Sequence, residues 1–294
     1  MQRSNPFESH WSNQWLTSVV VMSSIRSVAK SLVDSWIPGI GYVYRRLRDE
    51  RSTLLDPMPT PFGFKLAGNP SMADGSFEEE EIGVFQKYLE QASTFIDIGA
   101  NIGLYTCLAA TRGKPVIAVE PLASNLRLLY KNLVCNGLLD VQVFPLGLSS
   151  KAGVERLFGG GTGASLLPGW AGASDKWYEA VPVSTLDIIT NARFDGQSLF
   201  IKMDVEGFEA EVLKGAQHTL GLTPKPTWLV EICLDEHFPG GLNDKFCETF
   251  QVLWRYGYQA RVANDEERPV HPSDVSRWAK QGHVDFGSHN YLFL

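Results

Sequence analysis

The chain has 294 residues, 44% hydrophobic and 20% charged, a length and balance that suit one α/β domain with additions and exclude a fibrous or disordered chain. The formal charge is −7; residues 1–60 carry seven basic and five acidic groups, so the remainder carries −9. An acidic body is a poor match for a nucleic-acid backbone, and no nucleic-acid partner is expected. Cys107, Cys135, Cys233 and Cys247 form no Cys-x-x-Cys pair and have no histidine at zinc-finger spacing, so they read as free structural thiols. No basic start, long apolar run and cleavage site follow one another at the N-terminus, and a cytoplasmic location is expected.

Apolar residues from Trp15 to Trp36 recur at helical spacing, and Pro38-Gly39 ends the run. The basic residues Arg45, Arg46, Arg48 and Arg51 follow. Such a helix packs on the core or on a second copy of the chain, or rests on an anionic membrane as a peripheral contact. Residues 54–76 are rich in Pro, Gly and Met and read as a lid or short hairpin. A helix begins at Phe77; its acidic first turn, Glu78 to Glu81, suits the helix dipole and is expected to be solvated.

Phe95-Ile96-Asp97-Ile98 reads as a buried strand running through Gly99-Ala100-Asn101-Ile102-Gly103 into a helix, a cradle for a nucleotide-like ligand. The loop lacks the Gly-x-Gly-x-x-Gly dinucleotide pattern, and Asn101 suits a turn position of positive φ. Asp97 at the mouth of the strand would repel a pyrophosphate. It suits S-adenosylmethionine, which has an ammonium and no phosphate. The strand Val116–Val119 ends at Glu120, about 20 residues past the first glycine, where a carboxylate reaches ribose hydroxyls.

A second strand, Leu199 to Asp204, runs into Val205-Glu206-Gly207-Phe208-Glu209 and a helix; a third, Thr227 to Ile232, carries Glu231. Asp97–Gly103, Glu120-Pro121, Thr185-Leu186-Asp187, Lys202–Glu209 and Leu213-Lys214-Gly215-Ala216 together resemble the FkbM-type S-adenosylmethionine-dependent methyltransferases. Phe208 departs from the small residue usual there. The resemblance covers residues from about 75 to the C-terminus. It implies a Rossmann-like α/β fold of the class I methyltransferases, with a domain over 75–294 and an extension over 1–74. Strands are expected near 94–98, 116–120, 141–145, 199–204, 227–232, 257–262 and 288–293, and helices near 103–112, 123–136, 207–220 and 243–256. That makes a seven-stranded, mostly parallel sheet with helices on both faces, and the resemblance implies an antiparallel last strand.

Ligands of open α/β sheets lie beyond the carboxyl ends of the strands. The cofactor is therefore expected against Asp97, Gly99, Ala100, Asn101, Gly103, Glu120, Pro121 and Asp204, with Gly147 and Leu148 walling the adenine. Asp204 is the expected base or acceptor-orienting group, with Lys202 on the same strand face and Glu231 beside it. Glu206, Glu209, His237 and Ser165 of the glycine-rich run 159–165 are expected near the acceptor, although His237 also reads as a plain loop residue. The clustered acids do not by themselves call for a metal, and none is assigned. The resemblance implies O-methylation of a sugar, glycan or natural-product hydroxyl. The alternatives are a non-catalytic binding module on the same fold and a nicotinamide-dependent oxidoreductase.

Overall fold

The computed structural model describes residues 51–294 apart from Asp265. The amphipathic run at 15–37 and the basic residues before Arg51 lie outside them. A hairpin of Met58–Pro59 (β1) and Lys65–Leu66 (β2) leads into Pro70–Asp74 (α1) and Glu79–Gln91 (α2). Thr94–Ile98 (β3), Leu104–Thr111 (α3), Val116–Val119 (β4), Ala123–Cys135 (α4) and Gln142–Phe144 (β5) follow. Gly147–Leu148 (β6), Gly153–Phe158 (β7) and Tyr178–Ser184 (β8) form a small separate sheet, in the order β6-β8-β7. The chain returns through Leu186–Thr190 (α5) to Leu199–Met203 (β9), Glu209–Lys214 (α6), Gln217–Leu220 (α7) and Thr227–Glu231 (β10). Phe246–Arg255 (α8), Ala260–Val262 (β11), Pro269–Val270 (β12), Pro272–Gln281 (α9) and Asn290–Phe293 (β13) complete it.

The main sheet has the order β12-β11-β13-β10-β9-β3-β4-β5. Its β5, β4, β3, β9 and β10 are mutually parallel, and β13 runs antiparallel between β10 and β11, the arrangement of the class I methyltransferases. All seven expected strands are present. The eighth, β12, is only two residues long and begins with a proline at the sheet edge, where a missing N–H costs nothing. So short a strand leaves no alternation to read.

Side chains alternate across the sheet, as the pleat requires. Phe95, Phe200, Leu229 and Leu292 pack with the helices α1 to α4 on one face. Ile96, Ile201, Met203, Trp228, Tyr291 and Phe293 pack with α5 to α9 on the other. The helix expected over 207–220 is divided at Gly215, where a Cβ would stand 2.3 Å from the Ser149 carbonyl oxygen. The close crossing of those two backbones is a tertiary constraint with no trace in local periodicity.

Residues 58–74 pack into this core. Phe64, Leu66 and Met72 are buried, and Asn132 accepts from the Ala67 N–H at 2.7 Å while donating to the Ile102 carbonyl at 2.8 Å. The expected boundary near residue 74 therefore coincides with no gap in the packing. Among the described residues, no helix is long and apolar enough to cross a membrane.

Candidate active site

The parallel strands step from β3 to β4 and β5 toward one edge and from β9 to β10 toward the other. The order reverses between β3 and β9, and a crevice opens at their carboxyl ends. Gly99 and Asp204 meet there. Gly99 has φ 82°, and a Cβ on it would stand 1.8 Å from the Asp204 carbonyl oxygen, so only glycine fits. The Gly99 and Ala100 N–H groups both donate to the Val119 carbonyl at 3.0 Å, and Asn101 takes φ 52°. These bonds turn the chain tightly enough to leave the crevice open.

Two cavities share this crevice. The first is a narrow slot of about 50 Å³. Its apolar walls include Pro121, Leu146, Gly147, Leu148, Leu157 and Leu166, and Glu120 stands on its polar side. The Glu120 carboxylate accepts from Asn101 N and Leu122 N, both at 2.8 Å, and from Asn125 Nδ2 at 3.3 Å. Burial pushes its pKa up to about 7 against these donors. Among the described residues, no Lys, Arg or His lines this slot, and the carboxylates that do would repel a pyrophosphate. Asn101 Oδ1 is buried without a partner. A flat apolar wall, a carboxylate for a diol and an unfilled acceptor fit the adenosine and ammonium of S-adenosylmethionine.

The second cavity, of about 220 Å³, has Glu78, Asp204, Glu206 and Glu231 in its walls, with Lys202 and Tyr105. Lys202 Nζ lies 3.1 Å from Asp204 Oδ2, 3.5 Å from Glu81 Oε1 and 4.6 Å from the centre of the Tyr105 ring. Burial disfavours the ammonium, but Asp204, Glu81, Glu78 and Asp97 outweigh it and hold the pKa well above the lysine value. Burial would also raise Asp204; Lys202 and a hydrogen bond with Glu231 reverse this and hold it below the usual carboxylate range. Glu231 is raised well above that range, by burial first and then by the Asp204 charge. Between the two carboxyls, a proton is thus favoured on Glu231 and the charge on Asp204. Glu78 takes the Tyr105 hydroxyl proton bond at 2.8 Å, and burial lifts its pKa to about 7. Among the described residues, no three His, Cys, Asp or Glu side chains are arranged to hold a metal ion.

Glu120, Pro121, Gly147, Leu148, Gly99 and Asn101, expected against the cofactor, all line the first cavity. Lys202, Asp204, Glu206 and Glu231 come together in the second. Ala100 also faces the second cavity and has no wall in the first.

Five expected site residues stand elsewhere. Asp97 is buried beneath the loop, where its Oδ2 accepts from Thr106 Oγ1 at 2.5 Å; burial raises its pKa to about 6. Its place in register with Lys202 turns it toward the face that α3 covers. Gly103 caps α3 at φ 93°, crowded by Leu129. Glu209 is buried and accepts from the Gly207 N–H at 3.0 Å, tightening the turn before α6. Ser165 is buried behind the wall, donating to the Glu206 carbonyl at 2.6 Å. His237 is exposed, with its ring edge-on to Trp170 at 5.6 Å.

The acids at the start of α2 depart in the opposite direction. Glu78 lines the second cavity, and Glu81, only 5% exposed, pairs with Lys202. A run of four glutamates reads as a solvated helix start; which of them turn inward depends on where α2 crosses β9. Trp170 was missed for the same reason, since nothing local marks its approach to Glu206.

Residues 97–260 match the model of the Methyltransferase FkbM domain, more than half of the 294 residues. Among solved structures, the chain is similar to methyltransferase FkbM from Methylobacillus flagellatus: 19% identity, 87% of this chain and 60% of that chain covered, TM-score 0.43. It is also similar to a SAM-dependent methyltransferase from Aquifex aeolicus, at 14% identity, 66% and 86% coverage and TM-score 0.39. A third is Aeropyrum pernix fibrillarin in complex with natively bound S-adenosyl-L-methionine, at 11% identity, 69% and 66% coverage and TM-score 0.35. The chain spans 60% of the length of the M. flagellatus protein. No curated protein matches the sequence.

Proposed function

The chain belongs to the FkbM methyltransferase family, and from that premise we propose that it moves a methyl group from S-adenosylmethionine to a hydroxyl of a sugar, glycan or natural-product small molecule. The observation that carries this reading is the junction of the two cavities. Gly99, Asn101, Thr162, Asp204 and Glu206 belong to the walls of both. A donor in the apolar slot and an acceptor in the acidic cleft meet there and nowhere else along these walls.

The bound cofactor supplies a methyl carbon activated for in-line displacement. Asn101 and Glu120 would hold its polar groups, and the leucine walls would exclude water from its adenine. Asp204, kept ionised by Lys202, accepts the hydroxyl proton as the new O–C bond forms and the C–S bond breaks. Glu231 shares the remaining proton with Asp204 and keeps that carboxylate aimed into the cleft. Among the described residues that line the cleft, Lys202 is the one cation, and it is paired with Asp204 and Glu81, so this lining is set against an anionic acceptor. A neutral or cationic polyol is favoured over a uronate or sugar phosphate.

Calorimetric titration with S-adenosylmethionine, and with NAD⁺ alongside, tests the cofactor. Saturable binding of the first alone is the expected result. Binding of NAD⁺ alone would overturn the reading, and binding of neither would favour a non-catalytic module. Release of S-adenosylhomocysteine in the presence of neutral, cationic and anionic sugars then tests the acceptor class.

A further inference from the structure

Residues 159–172 follow β7 and touch both cavities. Gly161, Thr162 and Ala164 form part of the cofactor slot, and Thr162 also reaches the acceptor cleft. The same segment ends in Trp170, which is 2% exposed and lines neither cavity. Trp170 lies behind Glu206. Its indole N–H donates to Glu206 Oε2 at 2.9 Å, and the ring meets Phe238 edge-on at 4.8 Å.

The approach is close. A Cβ on Gly207 would stand 2.6 Å from the indole ring. Ser165, in the same segment, grips the backbone of Glu206 through its carbonyl at 2.6 Å. Glu206 itself sits at φ 57°, a conformation that costs a side-chain-bearing residue energy and persists only where neighbours hold it. One segment therefore roofs the cofactor slot and holds both the side chain and the backbone of a carboxylate at the junction.

We infer that Trp170 is a positioning residue: through its indole N–H it fixes the Glu206 carboxylate at the doorway between the cofactor slot and the acceptor cleft, where the carboxylate faces the sulfonium of bound S-adenosylmethionine. The inference rests on the methyl-transfer reading above. Its consequence is discrimination by charge. S-adenosylhomocysteine, the product, lacks the sulfonium, so a fixed doorway carboxylate favours the loaded cofactor over the spent one where it is ionised, and the affinities are compared at pH 9, above its raised pKa of about 8.

Calorimetry on the full chain measures the ratio of the two affinities in wild type, Trp170→Phe, Glu206→Gln and the double variant. Each single variant is expected to cut the preference for S-adenosylmethionine by about fivefold to tenfold, and the double variant no further, because the two residues act as one unit. Trp170→Phe keeps the ring in place, so a purely structural role would lower stability and leave the ratio at its wild-type value. An unchanged ratio, or effects that add in the double variant, overturns the inference. Failure of the wild type to bind S-adenosylmethionine overturns the methyl-transfer reading instead.

A second measurement covers a Trp170 variant that does not fold. In ligand-free wild type, the indole N–H resonance of Trp170 should follow the ionisation of Glu206. Burial, Asp204 and Glu209 raise that carboxyl to about 8 against the pull of Trp170 and Lys202, while Glu231 faces it from β10. The titration should vanish in Glu206→Gln. A Trp170 resonance indifferent to that substitution overturns the inference.

Discussion

The two cavities meet at one junction yet are built on opposite principles. In the cofactor slot the Glu120 carboxylate is satisfied by three protein donors and set against leucine walls, with Asp204 and Glu206 at the junction end. In the acceptor cleft four carboxylates crowd a lysine that is already shared between Asp204 and Glu81. The slot is organised before its ligand arrives and works mainly by shape. The cleft stores electrostatic tension that, in the proposed reaction, a substrate and a transferred proton would relieve. Substitutions in the slot should therefore act on binding, and those in the cleft on turnover and pH dependence.

The sharpest break of this contrast is Gly99→Ala. A methyl group 1.8 Å from the Asp204 carbonyl oxygen at φ 82° forces the two strand ends apart. Calorimetry should find no S-adenosylmethionine binding, and retained binding would mean that the loop moves freely. Asp204→Asn comes next. It should leave cofactor affinity nearly intact while S-adenosylhomocysteine release falls by roughly 10²–10⁴; an unchanged rate would remove Asp204 as the base.

Lys202→Met strips the cation from Asp204 and Glu81 within the core. Denaturant unfolding should register a loss of about 3–5 kcal/mol, the cost of leaving buried charge uncompensated. Adding Glu81→Gln should recover part of it. No recovery would mean that the lysine acts through packing alone.

The raised carboxyls give a smaller, signed effect. Glu78 and Glu120 are lifted to about 7 and Glu206 to about 8, all by burial first. The unfolded chain releases these protons near pH 4.5, while the folded chain keeps them until pH 7–8. Between those limits the folded state binds more protons, so the stability they contribute is full below the unfolded value and is lost as pH rises. The melting temperature of the ligand-free protein should fall by several degrees from pH 5 to pH 8. A rise across that window would mean that the cleft carboxyls are ionised throughout.

The smallest expected change is Asp97→Asn. Asp97 lies under the loop with Thr106 and outside the slot, so cofactor affinity should shift by less than about tenfold, or 1.4 kcal/mol. A complete loss of binding would bring Asp97 back to the ligand.

Much of this architecture was legible in the residues alone. The strands of the main sheet were visible because β3, β9 and β10 are short, apolar and β-branched or aromatic, and because each parallel strand ends near an acidic or glycine-bearing turn. Glycine and asparagine at 99 and 101 announced a loop of positive φ before any contact was known. Such signals are local: they arise from the pleat, the turn and the helix period, all of which repeat within a few residues.

The direction in which each acid points is not local. Asp97 and Asp204 both belong to strand-end motifs, yet one is sealed under α3 and the other opens on the cleft. Glu78 and Glu81 read as a solvated helix start until α2 is laid against β9, when Glu81 reaches Lys202. Trp170 and Glu206 are 36 residues apart and come together only when the segment after β7 folds back over the turn after β9. The sequence by itself determined the sheet, its cofactor loop and the family. Tertiary structure alone decided which carboxylates share a proton, which pair with the lysine and which stay buried, because burial and charge–charge distance exist only once separate elements have packed.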